Sequence, residues 1–155
     1  MNTLKASKGF TLIEILVVIG IIAILATIVI IAINPARQFA QSRNTQRTAN
    51  VQAILNAVGQ RIADNKGLFN GATGCTTAIP TTTAPTIMVG QAGGFDLACL
   101  TPTYISSIPF DPSTGTASST AYTITADVNG RVTICAPQAA NETSISGATS
   151  ICITR

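Results

Sequence analysis

Histidine and tryptophan are absent from the 155-residue sequence, charged residues make up 10% of it and aromatic residues 5%. Without histidine there is no imidazole to act as a general base or a metal ligand. No phosphate-binding loop of the G-x-x-x-x-G-K-[ST] type occurs. The four cysteines include no C-x-x-C pair, so a zinc site is not expected. The sequence offers no catalytic constellation, and we do not expect an enzyme.

The net charge of +3 gives little indication of a partner. Arg37, Arg43 and Arg47 form a short basic run on a predicted helix, with Phe39 nearby. A nucleic-acid interface needs a basic stripe with aromatic partners. We therefore interpret this run as a solvated or subunit-facing helix surface and do not expect direct binding to nucleic acid.

One long apolar segment dominates the N-terminal part of the chain. From Phe10 to Ile33 the only residues that are not apolar are Thr11, Glu14, Gly20 and Thr27. As a helix, this segment is about 36 Å long and spans a hydrocarbon core of roughly 30 Å. It is too long for a cleaved secretory signal, and no A-x-A-like site follows it. The pattern predicts a transmembrane helix.

A second, amphipathic helix is predicted beyond Asn34-Pro35, where the proline favours a kink or a short break. Its apolar stripe has helical spacing, and Gly67 is the expected C-terminal cap. The polar side chains expected to lie largely off this stripe are Arg43, Gln46, Arg47, Asn50 and Arg61. The stripe consists of Val51, Ile54, Leu55, Val58 and Ile62.

Short strands are predicted in the C-terminal part. Ala121–Val128 alternates, with Tyr122, Ile124, Ala126 and Val128 on one face, and Asn129-Gly130 is a strong hairpin signal. The partner strand is 131–136, and 86–90 and 150–154 are further candidates. Burial of the helix stripe against this small antiparallel sheet predicts an α+β fold. The even number of cysteines (Cys75, Cys99, Cys135 and Cys152) favours two disulfides and an oxidising, extracytoplasmic location.

The stretch Lys8-Gly9-Phe10-Thr11-Leu12-Ile13-Glu14 joins a basic leader, a Gly-Phe junction and a single acid at the start of the membrane span. It resembles the class III signal peptide of type IV pilins and of secretion and competence pseudopilins. The resemblance is close over residues 5–33 and looser as far as Gly67. The segment 108–112 (Ile-Pro-Phe-Asp-Pro) also resembles such proteins.

The resemblance implies a fold and a route of processing. A prepilin peptidase is expected to cut between Gly9 and Phe10, and the new Phe10 amine is expected to be N-methylated. Glu14 is expected to meet the Phe10 amine of a neighbouring subunit during assembly, although Thr11 and Glu14 also fit a capping box. Residues 1–9 would then be the leader, 10–34 the transmembrane and filament-core helix, 35–67 the amphipathic helix, and 68–155 a β-rich globular region of the pilin fold.

The same resemblance implies partners and a location. The subunit would begin as a single-pass protein of the inner membrane and end in a helical homopolymer on the cell surface. Assembly would need a platform protein and an extension ATPase. Of the three possible cysteine pairings, Cys75–Cys99 and Cys135–Cys152 are favoured, the second as in many pilins. No cofactor is expected, with calcium on Asp111, Asp127 and Asn129 left open beside their ordinary role in turns.

Two alternatives remain at this stage. The chain is also compatible with a pseudopilin of a type II secretion or DNA-uptake system. An alternative of another class is a membrane-anchored binding domain that never polymerises.

Overall fold

A computed structural model describes residues 9–71, 74–81, 86–89 and 94–155. Of the predicted leader, residues 1–9, only Gly9 lies within these ranges. The chain divides into two compact units, the first ending at Pro35 and the second running Ala36–Arg155. The second is called the head unit below.

Two helices, separated by Ile33 and Asn34, lie between Leu12 and Asp64. Helix α1 (Leu12–Ala32) contains only apolar residues apart from Glu14, Gly20 and Thr27. Helix α2 (Pro35–Asp64) begins at the proline, whose fixed φ suits the first turn of a helix. Ile33 has extended backbone angles, so the predicted interruption at Asn34-Pro35 is confirmed.

The sheet has the order β2-β1-β3-β4-β5. Its strands are β1 (Thr86–Val89), β2 (Phe95–Asp96), β3 (Thr123–Ala126), β4 (Val132–Ala136) and β5 (Ile151–Thr154). β1, β3, β4 and β5 pair antiparallel, and the short β2 runs parallel to β1. This α+β arrangement confirms the predicted fold class.

The core forms where the stripe of α2 meets one face of the sheet. Val51, Ile54 and Val58 are completely buried, as are Ile124 and Ile134, which are register partners in β3 and β4. Burial of each such side chain stabilises the fold by about 1.5–3 kcal/mol. The predicted helix stripe is therefore confirmed as the face that packs on the sheet.

The turn between β3 and β4 differs from the prediction. The strands stop at Ala126 and begin again at Val132, so Val128 lies in the turn and is 95% exposed instead of continuing the apolar face. The N–H of Gly130 donates to the carbonyl of Asp127, and Gly130 has a φ of 80°. Because the Asp127 N–H also donates to the Arg131 carbonyl, residues 128–130 form a three-residue loop with a left-handed glycine, which competes with the two-residue turn that Asn-Gly also favours.

The end of α2 also differs in detail. The N–H of Gly67 donates to the carbonyl of Ile62, as in a Schellman motif. The first residue with left-handed backbone angles is Lys66, with a φ of 56°, and Gly67 follows at 90°. The predicted glycine is part of the cap, but the position that usually holds glycine is held by a lysine.

Candidate functional site

The Gly9–Phe10 peptide bond lies in a non-helical segment directly before α1. Both residues are exposed, Phe10 at 83%. A Cβ atom added to Gly9 would meet nothing within 4 Å. Packing in the described residues therefore gives no reason for glycine here, and a requirement for glycine would have to come from an enzyme that binds this segment.

Glu14 and Thr11 form a capping box at the start of α1. The Glu14 carboxylate atom Oε2 accepts the Thr11 backbone N–H at 2.8 Å and the Thr11 hydroxyl at 2.9 Å. In return, the Glu14 N–H donates to the Thr11 Oγ1 atom at 3.3 Å. The local role of Glu14 is thus present in the structure, and its bonds fall on one oxygen of the carboxylate. The contact of Glu14 with a neighbouring subunit stays a prediction.

The surface of α1 is apolar on every side. Each of its large apolar side chains is at least half exposed, and none of its residues is buried. With 21 residues the helix is about 31 Å long, enough to cross a bilayer. No polar face is available to meet water, so this helix needs lipid or other apolar helices around it.

A buried ion cluster joins α2 to two loops of the head unit. Arg47 has 0% exposure, and its Nε atom donates to the Asp111 Oδ2 atom at 2.7 Å. Its Nη1 atom donates to Asn44 Oδ1 at 2.8 Å and to a Glu142 oxygen, and its Nη2 atom donates to Ser113 Oγ at 2.8 Å. The cluster holds the loop at residue 111 and the segment at residue 142 onto the helix.

Arg43 forms the outer edge of this cluster. Its Nε atom donates to Glu142 Oε1 at 2.8 Å, and its Nη2 atom donates to Oε2 of the same carboxylate. Arg43 remains 37% exposed, whereas the Glu142 side chain is 8% exposed. The positive charges of two guanidinium groups and the negative charges of two carboxylates therefore balance one another within a single chain.

This arrangement corrects the interpretation of the basic run. Arg47 is not on a solvated or subunit-facing surface but in the interior, and Arg43 is ion-paired at its edge. A signal for this was present in the sequence: Arg47 lies four residues before Val51 and seven before Ile54, which is the spacing of the apolar stripe. Nothing in the sequence identified Asp111 and Glu142 as its partners.

The acidic side chains of the cluster have lowered pKa values. Burial alone would raise the pKa of Asp111, but the hydrogen bonds from Arg47, from Ser113 and from the Thr114 N–H outweigh it and lower the pKa to about 2. The hydrogen bond from Arg43 is the largest influence on Glu142, and with Arg47 it lowers that pKa to about 2 despite burial. Both carboxylates are therefore ionised at neutral pH.

The head unit is predicted to lose stability in acid. A carboxylate whose pKa is lower in the folded than in the unfolded chain stabilises the fold above its unfolded pKa, and this is lost as pH falls through the folded pKa. For Asp111 the difference is worth about 2 kcal/mol, lost between about pH 5 and pH 2, and Glu142 acts in the same direction. Denaturant unfolding of the full chain in detergent at pH 7 and pH 3 measures the loss. Asp111→Asn should start less stable and show a smaller further loss, and an equal loss in both proteins would contradict the assignment.

Gly115 is required by the loop that carries Asp111. A Cβ atom at this position would lie 2.3 Å from the Asp111 backbone nitrogen and 2.8 Å from its carbonyl oxygen. We expect Gly115→Ala to displace the loop and to destabilise the head unit by about 1–3 kcal/mol. Gly59→Ala is the matched control in α2, where the added Cβ atom meets nothing within 4 Å and alanine favours the helix by about 1 kcal/mol. Thermal unfolding should shift in opposite directions in the two variants, and a shift in the same direction would contradict this account.

Two of the three candidate calcium ligands, Asp111 and Asp127, have carboxylates that are engaged in other contacts. Asp111 binds Arg47, whereas Asp127 accepts the backbone N–H groups of Asn129 and Arg131 and so stabilises the β3–β4 turn. Within the described ranges, no three side chains of the His, Cys, Asp and Glu types are grouped to hold a metal ion. Calcium binding by Asp111, Asp127 and Asn129 stays an open prediction beside the role of Asp127 in the turn.

Two disulfides join the cysteines in the pairs that the sequence favours. Cys75 pairs with Cys99, and Cys135 pairs with Cys152 across neighbouring positions of β4 and β5. The second disulfide fastens the last strand to the sheet, and the first fastens the segment before β1 to the short 3-10 helix Ala98–Leu100. Both serve the fold of the head unit.

Comparison with known proteins gives one match. Residues 4–30 match the family model described as the prokaryotic N-terminal methylation motif. The match covers the Gly9–Phe10 bond, the Thr11–Glu14 capping box and most of α1. No curated protein and no solved structure matches the chain.

Proposed function

We propose that the chain is the precursor of a subunit of a type IV pilus-like filament, because residues 4–30 match the prokaryotic N-terminal methylation motif, the class III signal peptide of type IV pilins and pseudopilins. The proposed steps are cleavage between Gly9 and Phe10, N-methylation of Phe10, and polymerisation through α1. The polymer would then be exposed at the cell surface.

The uniformly apolar surface of α1 is the observation that carries this proposal. Cleavage before Phe10 leaves the whole of α1 attached to the head unit, so the processed chain stays in the membrane until it is extracted. Outside the bilayer such a helix is stable only where other apolar helices surround it. A bundle of copies of α1 supplies that environment, and extraction from lipid would need a platform protein and an ATPase.

Glu14 gives the bundle a means of setting its register. An ionised side chain within a membrane span costs roughly 2.5–3.5 kcal/mol at the centre of the bilayer and less near its edge. Cleavage creates a charged amine at Phe10, and this amine on a neighbouring copy is a suitable partner for the Glu14 carboxylate. The capping bonds use Oε2 and leave Oε1 available for such a contact.

The processing step is tested with a substitution at the cleavage site. Gly9→Val is expected to leave the described fold unchanged, because a Cβ atom added at Gly9 meets nothing within 4 Å. We expect the variant to accumulate uncut in membranes and to yield no filaments in the material sheared from cells. Gly20→Ala, also at an uncrowded glycine, is the control and should be processed as the original chain is.

The distribution of the original chain completes the test. Recovery in sheared filaments supports a pilus subunit, whereas a processed chain confined to the envelope indicates a pseudopilin. Equal cleavage of Gly9→Val and the original chain, or no cleavage of either, contradicts the proposal and leaves a membrane-anchored domain.

A further inference from the structure

The first turn of α2 extends beyond the packing of the head unit. Residues 35–39 are all exposed, and Ala40 is the first buried residue of the helix. Phe39 is 65% exposed and is the one exposed large apolar side chain of α2, a helix that the structure describes in full. Packing within the head unit therefore does not account for an aromatic side chain at this position.

The position of Phe39 in the chain keeps it close to the end of the membrane span. Ile33 and Asn34 separate the two helices, so the chain from Ala32 to Pro35 reaches at most about 11 Å. Phe39 follows Pro35 by four residues, about 6 Å along the helix, and side chains on a helix tilt towards its N-terminus. The headgroup layer on each side of the hydrocarbon core is about 5–7 Å thick. The Phe39 ring is therefore within reach of that layer.

The charges of this segment suit an anionic surface. Arg37 lies exposed in the first turn of α2, which contains no acidic residue, and the only acid of the helix is Asp64. A cation near a helix N-terminus is disfavoured, because that end of the helix carries a partial positive charge. Lipid phosphates reverse this balance, since they attract both the arginine and the helix end. The first turn of α1 carries Glu14 and has the usual arrangement.

We propose that Phe39 and Arg37 lie in the extracytoplasmic headgroup layer of the membrane that α1 spans, with the ring at the edge of the hydrocarbon core and the guanidinium group among the lipid phosphates. Aromatic and basic side chains occupy these depths where helices lie in a membrane interface. The start of the head unit is thereby held at the membrane surface until the subunit is extracted. This inference rests on the membrane-bound precursor of the proposed function and does not require polymerisation.

A tryptophan introduced at residue 39 measures its depth in the membrane. The chain contains no tryptophan, so Phe39→Trp supplies all of the tryptophan fluorescence. The full chain is inserted into vesicles of phosphatidylcholine and phosphatidylglycerol at high lipid excess, with bromine on the acyl chains either near the headgroup or near the bilayer centre. Shallow bromine should quench roughly half or more of the emission, and deep bromine should quench much less.

Further variants calibrate the measurement. Ile22→Trp lies in the middle of α1 and should be quenched more by deep bromine. Phe110→Trp replaces another exposed phenylalanine, whose carbonyl accepts from Asn50 about 16 Å further along α2, and it should be quenched by neither lipid. Adding Arg37→Gln to Phe39→Trp should reduce the shallow quenching by roughly twofold in these anionic vesicles. Equal quenching with and without that change overturns the assignment of Arg37 to the lipid phosphates.

The outcomes separate the inference from the proposed function. If neither bromine quenches residue 39 while Ile22→Trp is quenched, the inference is overturned and the proposed function stands. Emission from residue 39 that changes with the protein-to-lipid ratio indicates contact between copies and also overturns the inference. Shallow quenching in a chain that forms no filaments in cells supports the inference while the proposed function fails. A chain that the vesicles do not retain removes the membrane-bound precursor and the inference with it.

Discussion

Replacing Arg47 with methionine is expected to destabilise the head unit by about 3–5 kcal/mol. The substitution removes the hydrogen bonds that Arg47 donates to Asp111, to Glu142 and to Ser113. Asp111 is 1% exposed and would remain in the interior without its cation, which costs far more than the loss of an exposed ion pair. Denaturant unfolding of the full chain in detergent, followed by near-ultraviolet circular dichroism of its tyrosines, measures the change.

Two further variants show whether burial causes the effect. Arg131→Met removes an exposed ion pair with Asp127, in which the Arg131 side chain is 66% exposed, and should change stability by about 0.5 kcal/mol or less. Adding Asp111→Asn to Arg47→Met should recover part of the loss, because the unpaired carboxylate is then removed. A loss below about 1 kcal/mol for Arg47→Met, or strictly additive losses in the double variant, would refute the account of the cluster.

Replacing Glu14 with glutamine is expected to prevent most filament assembly while leaving cleavage at Gly9–Phe10 intact. Glutamine also completes a capping box, so this change keeps the start of α1 and removes only the negative charge. If the charge meets the amine of a neighbouring Phe10, sheared filaments should fall by roughly tenfold or more. Immunoblots of the sheared and membrane fractions measure the yield and the cleavage separately.

Thr11→Ala is the complementary variant. It removes the hydroxyl that caps the helix but keeps the Glu14 carboxylate, and such caps are worth about 1 kcal/mol. If the charge governs assembly, Thr11→Ala should assemble better than Glu14→Gln. The reverse order would show that capping, and not charge, is what assembly requires of Glu14.

Residues with one dominant physical constraint were predictable from the sequence. The apolar run from Phe10 to Ile33 permits only a helix in an apolar environment, and the stripe from Val51 to Ile62 has a period that only a helix satisfies. Pro35 fixes the interruption between the two helices. The alternating apolar patterns around Ile124 and Ile134 correctly predicted two strands whose apolar faces lie in the core.

The contacts between distant segments were not predictable in this way. Arg47 is 64 residues from Asp111 and 95 from Glu142, and the sequence contains nothing that specifies those pairings. The interpretation of the basic run as a solvated or subunit-facing surface is wrong at Arg47, whose spacing places it on the buried side, where an arginine needs charged partners. The same limit applies to Val128, where a strand pattern continued into a turn, and to Lys66, which holds a left-handed position that glycine usually occupies.

The most direct test of the central claim is the intact mass of the chain in filaments sheared from cells. The account predicts a species that begins at Phe10, carries one added methyl group and lacks four hydrogens because of its two disulfides. A chain that still begins at Met1 and is found only in membranes would contradict it.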